Sequence, residues 1–261
     1  MFQKKSLLTF VFACQLVACG GGGDSAPSTT LLGGSIVSAP GADKIVFSGY
    51  RFNVRSGKGD PGPNNWSRSN VWVDTNGHLH LKISNSNGVW SGAEISTPQA
   101  MGFGTYQFKV IGYPHNLDKN VVFGFFPYTT PSVGVNGTNE IDIEFASWGN
   151  DDFSRGHWAV WPSVDGNSKT SHSFDMTPNT GFSTHRFTWT SRQVSFRALK
   201  GLTDDNIGSY ADWTFSPQDF LVRIPQSPLP LHLNMWLFDG KPPANGQEVE
   251  MVISELKFIP E

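Results

Sequence analysis

Glu140, Asp142 and Glu144 stand at alternate positions in residues 138–145, Thr-Asn-Glu-Ile-Asp-Ile-Glu-Phe. Alternate side chains of a β-strand point to one face, so the three carboxylates line one surface. Ile141, Ile143 and Phe145 then line the other, toward a core. The interleaved β-branched and aromatic residues fix the period at two and exclude a helix. Three neighbouring acids add nothing to stability, because like charges repel and each raises the pKa of the next. The pattern fits acid/base or nucleophilic chemistry at a carboxylate cluster. A solvated strand face or a cation site stays open on these three residues alone.

The surrounding residues resemble glycoside hydrolase family 16, and most of all its lichenase-type endo-β-glucanases. That family carries a Glu-Ile-Asp-Ile-Glu-Phe strand, which residues 140–145 match letter for letter. Gly92-Ala93-Glu94 and Gly104-Thr105-Tyr106 resemble its Gly-x-Glu and Gly-x-Tyr pair. Phe125-Phe126-Pro127-Tyr128, residues 185–189 and Asn234-Met235-Trp236 resemble later segments, in order. The resemblance implies that Glu140 is the nucleophile, Glu144 the general acid/base and Asp142 the helper between them. Four residues of strand separate the two Glu Cα atoms by about 13 Å. Side-chain reach and a concave sheet can bring the carboxyls toward the ~5–5.5 Å of retaining glycosidases.

The resemblance also implies a cleft lined by Phe126 and Tyr128, which share a face, with Phe125 on the opposite one. Trp148 follows Glu144 by four residues and can continue the carboxylate face. His157 and Trp161 share a face read as wet, against Trp158 and Val160. Asn234 and Trp236, two apart, are candidate sugar contacts. His78 and His80 read as a solvated strand face, and His115, His172 and His232 have no partners at ligand spacing. Two departures from the family pattern stand out. Ser96 occupies the place of an arginine that follows the Gly-x-Glu glutamate in lichenases. Ser254 occupies the place of an aspartate that holds calcium in many relatives. No metal and no cofactor are therefore expected.

Strands must position these residues. Only 16% of the chain is charged, against 28 Gly, 17 Pro, 20 Phe and 9 Trp, so turns and aromatics dominate. Strand-like runs recur at 71–74, 78–83, 105–111, 121–126, 140–145, 158–161, 184–190, 194–198, 231–237 and 248–258. Turn chemistry such as Thr75-Asn76-Gly77 and Ser86-Asn87-Gly88 separates several of them. No long stretch keeps a 3.6-residue apolar period. The fold expected is all-β, a two-sheet β-sandwich of jelly-roll type, resembling the concanavalin A-like lectins and glucanases.

Residues 1–19 read as a lipoprotein signal peptide. Lys4 and Lys5 precede an apolar stretch that closes on Leu16-Val17-Ala18-Cys19, with Cys19 the lipid-bearing residue. Residues 20–42, rich in Gly, Ser, Thr and Pro, read as a tether, and 43–261 as the catalytic domain. Without the leader Cys19 is the only cysteine, so the domain has no internal disulfide. The formal charge of −3 becomes two units more negative without Lys4 and Lys5, and no basic stripe invites nucleic acid. The partners expected are a polysaccharide, a β-glucan first, and a membrane through the lipid, in the outer membrane or at the cell surface. Nothing in the sequence demands an oligomer. A lectin-like binding protein on the same sandwich and a hydrolase of marine galactans are the alternatives.

Overall fold

A computed structural model describes residues 34–176 and 181–261. The signal peptide, Cys19 and most of the expected tether lie outside the described residues. Nearly every element is a strand, and the two large sheets are antiparallel throughout. One eight-stranded sheet runs, side by side, Lys44–Phe47, Tyr50–Val54, Ala93–Met101, Leu229–Leu237, Val121–Pro127, Ile141–Phe145, Gly156–Val160 and Thr170–Phe174. The second runs Ser209–Phe215, Val194–Lys200, Phe182–Trp189, Gly104–Ile111, Val249–Pro260, Leu79–Ser86 and Val71–Val73, with Val89–Ser91 attached to Leu79–Ser86. The expected β-sandwich is the fold found.

The core lies between these layers because the period-two alternation of each strand delivers one apolar face inward. Ile141, Ile143 and Phe145 are fully buried there, together with Phe123, Phe125, Phe108 and Phe187. Phe108 of one sheet stacks on Phe125 of the other with ring centroids 4.1 Å apart, a direct contact across the layers. His185, also fully buried, sits against Phe145 and Phe108, and burial pushes its imidazole down to about 3. It is a neutral packing residue.

All ten strand-like runs fall on observed strands. Both expected hairpin turns close as read: Val71–Val73 pairs with Leu79–Ser86, and Leu79–Ser86 with Val89–Ser91. Asn87 and Gly88 adopt φ of 53° and 84°, the pair of left-handed positions that a two-residue hairpin loop demands. Residues at the end of the expected tether already touch the sandwich, since Ile36 bridges Val46 and Ser38 bridges Val73. The histidine pair departs from the reading as a solvated face. His80 stacks on Trp72 and lies between the carboxylates of Asp74 and Glu250, which makes it part of a polar surface cluster. Ser254 sits at an irregularity of the last strand and donates to Lys109 O, while the neighbouring Glu255 carboxylate is paired with Lys109. These residues do not offer calcium a free set of oxygen ligands.

Candidate active site

The acid strand is the sixth of eight in its sheet and is bonded on both flanks. Regular strand structure begins at Ile141; Glu140 just precedes it, after Asn139 in a left-handed backbone conformation (φ 54°). The main chain of Glu140 is nonetheless pinned, because Trp161 N–H donates to Glu140 O at 2.9 Å. Register sets the neighbours of each acid. Glu144 lies opposite Gly124 on one side and His157 on the other, and Asp142 lies opposite Ala159. Gly124 in turn faces Asn234. A Cβ on Gly124 would stand 2.7 Å from Asn234 Oδ1 and 3.4 Å from the Phe126 ring. The absent side chain is what lets Asn234 lie over Gly124 beside Glu144. Asn234 Oδ1 is buried there with no hydrogen-bond donor from the protein.

The three carboxylates share one electrostatic problem. Burial pushes Glu144 up to about 8, the charge of Asp142 adds to the rise, and the charge of Lys169 opposes it. Asp142 is also raised by burial, to about 6, against hydrogen bonds with Glu140 and Trp161 that favour its anion. Glu140 is raised well above the usual range by burial, then by the charge of Asp142 and the hydrogen bond to it. Asp142 Oδ2 accepts from Trp161 Nε1 at 2.7 Å, while Oδ1 has no N–H or O–H donor. Their interaction raises Glu140 and lowers Asp142, so the proton of the pair is held by Glu140.

Around this trio the structure gathers the other expected residues. Phe126 and Tyr128 pack edge to face at 5.9 Å, and His232 stacks on Phe126 at 5.4 Å. Burial and then the charges of Glu140 and Asp142 raise the Tyr128 phenol, which keeps it a neutral donor. On the other side lies an open cavity of about 540 Å³, lined by Glu144, Trp148, Phe153, His157, Lys169 and Ser173 among others. Trp148 reaches this cavity by a turn rather than by continuing the strand: its φ is 51°. Its indole Nε1 donates to His157 Nε2 at 3.1 Å, and its ring approaches Trp236 at 6.3 Å. His157 Nδ1 is 2.9 Å from Ser173 Oγ. His157 Nε2 also lies 3.0 Å from Ala146 O, and burial holds the ring below its ordinary value. Trp158 and Val160 face the core, as the alternation requires.

Three features of this face were not among the expected site residues: the Glu94–Arg55 pair, His232 and Lys169. Glu94 is 7% exposed and forms a salt bridge with Arg55, with Nη1 3.1 Å from Oε2. Asn234 Nδ2 donates to Glu94 at 3.4 Å, and His232 Nδ1 lies 3.5 Å from it. The Arg55 guanidinium also stacks on Trp66 at 4.4 Å. Thus a guanidinium does stand beside Glu94 despite Ser96, delivered by the segment after the adjoining Tyr50–Val54 strand. His232 was legible in principle, since it alternates with Asn234 and Trp236 on one face. Lys169 is the third: its Nζ lies 4.6 Å from the centroid of the Trp161 ring.

The family model of glycosyl hydrolases family 16 matches residues 62–253. Among solved structures, a Bacillus licheniformis β-glucanase aligns with a TM-score of 0.61 at 19% identity, over 88% of this chain and 100% of its own. A laminarinase from Flavobacterium sp. UMI-01 aligns with a TM-score of 0.62 at 19% identity, over 79% and 92%. An immunostimulatory antigen and pseudo β-1,3-glucanase of Mycobacterium tuberculosis aligns with a TM-score of 0.61 at 20% identity, over 86% and 94%. At these identities the likenesses establish the shared fold. No curated protein matches the chain in sequence.

Proposed function

Because the chain belongs to glycosyl hydrolases family 16, we propose that it is an endo-acting, retaining hydrolase of a β-glucan with β-1,3 or β-1,4 bonds. The observation that carries this reading is the placement of three carboxylates on one strand face beside an open cavity, where burial divides their charge states. Glu144 is raised to about 8, while Glu140 and Asp142 share a proton. The proton of the pair rests on Glu140, beside the charge of Asp142, and it passes to Asp142 as Glu140 attacks the anomeric carbon. The glycosidic C–O bond breaks as Glu144 gives its proton to the leaving oxygen. Glu144, now a carboxylate, takes a proton from water as that water attacks the glycosyl ester, which frees Glu140 and regenerates the acid. Aromatic and polar groups flank the trio on both sides, Phe126 and His232 on one and His157, Ser173 and Lys169 on the other. A polymer can be held on either side of the cut, which supports internal cleavage. The names of the glucanase and laminarinase neighbours support glucan over galactan.

The protein acts, on this reading, at the cell envelope, held by lipid on Cys19 and the segment after it; the leader residues support that placement. Purified protein should depolymerise barley β-glucan or laminarin, with the β-anomer formed first by proton NMR. First-formed α-anomer would overturn retention. Cleavage of agar or carrageenan with none of any β-glucan would overturn the substrate, and binding without cleavage of all of them would leave a lectin.

A further inference from the structure

We infer that Lys169 is a positioning residue for the acid trio: its ammonium, seated on the face of Trp161, balances the charge of Glu140, Asp142 and Glu144 and sets the pH window of the reaction. This rests on the hydrolase reading above. Register delivers the lysine. Val160 faces Thr170 in the last pair of the two outermost strands, so the next antiparallel positions set Lys169 across from Trp161. The indole then serves both sides. Its face carries the cation at 4.6 Å from the ring centroid. Its Nε1–H donates to Asp142 at 2.7 Å, and its backbone N–H to Glu140 O at 2.9 Å. The ring thus joins the cation to Asp142, and the backbone of the same residue holds the main chain of Glu140.

Of the other cations, Arg55 is paired with Glu94, Arg155 and Lys119 with Asp151, and Arg223 donates to Ser168 O and Thr170 Oγ1, the two residues that flank Lys169. Lys169 has no carboxylate within ion-pair distance among the described residues. The remaining titratable groups around the trio are Tyr128, beside Glu140 and Asp142, and His157, opposite Glu144. Beyond them lie Glu94, His232 and Asp60 on one side, and Asp152 on the cavity wall. Tyr128 and His157 are kept neutral by burial, and the carboxylates only add negative charge. The charge of Lys169 opposes the rise of all three acids. Without it the trio would hold its protons to higher pH, and the nucleophile would be released later.

The test compares Lys169→Met and Lys169→Arg with the unaltered protein. Lys169 is exposed, so both variants are expected to fold. In kcat/KM against pH on soluble β-glucan, Lys169→Met should move both limbs to higher pH by about half a unit to one unit, the scale of a unit charge several ångströms away in a partly solvated cleft. Lys169→Arg should restore the original limbs, and roughly 1 M salt should shrink the difference. Limbs that superimpose, or a rise in KM with no displacement of the limbs, would overturn the inference; the second would make Lys169 a substrate contact only. Carbon-13 titration of the Glu and Asp carboxylates is an independent readout. It should show the same displacement even in a protein that cleaves no glucan, which separates failure here from failure of the hydrolase reading.

Discussion

Glu94 and Glu144 belong to the same sheet, on the same face, in the same register row, linked through Asn234 and Gly124. Their surroundings give them opposite chemistry. Burial would push Glu94 up, but the hydrogen bond and charge of His232, the charge of Arg55 and the hydrogen bond from Asn234 hold it below its ordinary value. Glu144 is raised to about 8 by burial and the charge of Asp142, with only Lys169 opposing. Burial by itself does not make a catalytic acid. What decides is whether the sheet supplies partners for the anion, and here it supplies them to one glutamate and withholds them from the other.

The largest test of this contrast is loss of chemistry. Glu140→Gln and Glu144→Gln should each lower kcat on natural glucan by at least ~10³, about 4 kcal/mol of transition-state stabilisation. Glu144→Gln should recover most on an aryl glycoside whose leaving group needs no proton, and Glu140→Gln should not. Equal behaviour of the two variants on the activated substrate would erase the division of roles.

Next comes stability at the compensated site. Arg55→Met leaves Glu94 with His232 and Asn234 as its partners and should cost about 1–2 kcal/mol in denaturant unfolding near pH 7, below the ~3–5 of breaking a fully buried pair. The folded pKa of Glu94 is depressed, so its contribution is present above the unfolded value and is lost as pH falls through the folded one. The cost of Arg55→Met should accordingly shrink toward pH 3. The smallest effect has the opposite sign. Glu144 is raised, so its stabilising contribution is complete below about 4.5 and is lost as pH rises through about 8. Glu144→Gln should then melt above the unaltered protein at pH 8, by about 2–4 °C per kcal/mol recovered in a domain of this size, and level with it at pH 4. Calorimetry across that range reads both slopes.

The sandwich and the acid strand were legible because both rest on local alternation. Glu140 to Phe145 announces its two faces without reference to the rest of the chain, and the long apolar runs do the same. Elements with weaker patterns were missed. Thr170–Phe174 is largely exposed and polar, and Tyr50–Val54 alternates over only five residues. Lys169 and the Arg55–Glu94 pair were illegible for a different reason. Lys169 is placed by pairing of an edge strand, and Arg55 meets Glu94 across 39 residues of sequence. Such meetings are products of register, which no window of neighbouring residues contains. Trp148 lies between these cases: its place near the acids was readable, but the left-handed turn that takes it there was not.

The two-sided bonding of Ile141–Phe145 has a consequence for how such a protein can vary over generations. Adding or deleting one residue within the strand would turn Glu144 toward the core, because every later side chain changes face. The segments 129–139, 147–155 and 162–169 that border the same surface are connections, and a change in their length leaves the ladder untouched. Inheritance is therefore split by architecture. The three acids pass on as one indivisible unit, while the connections around them are free to lengthen, shorten and diverge.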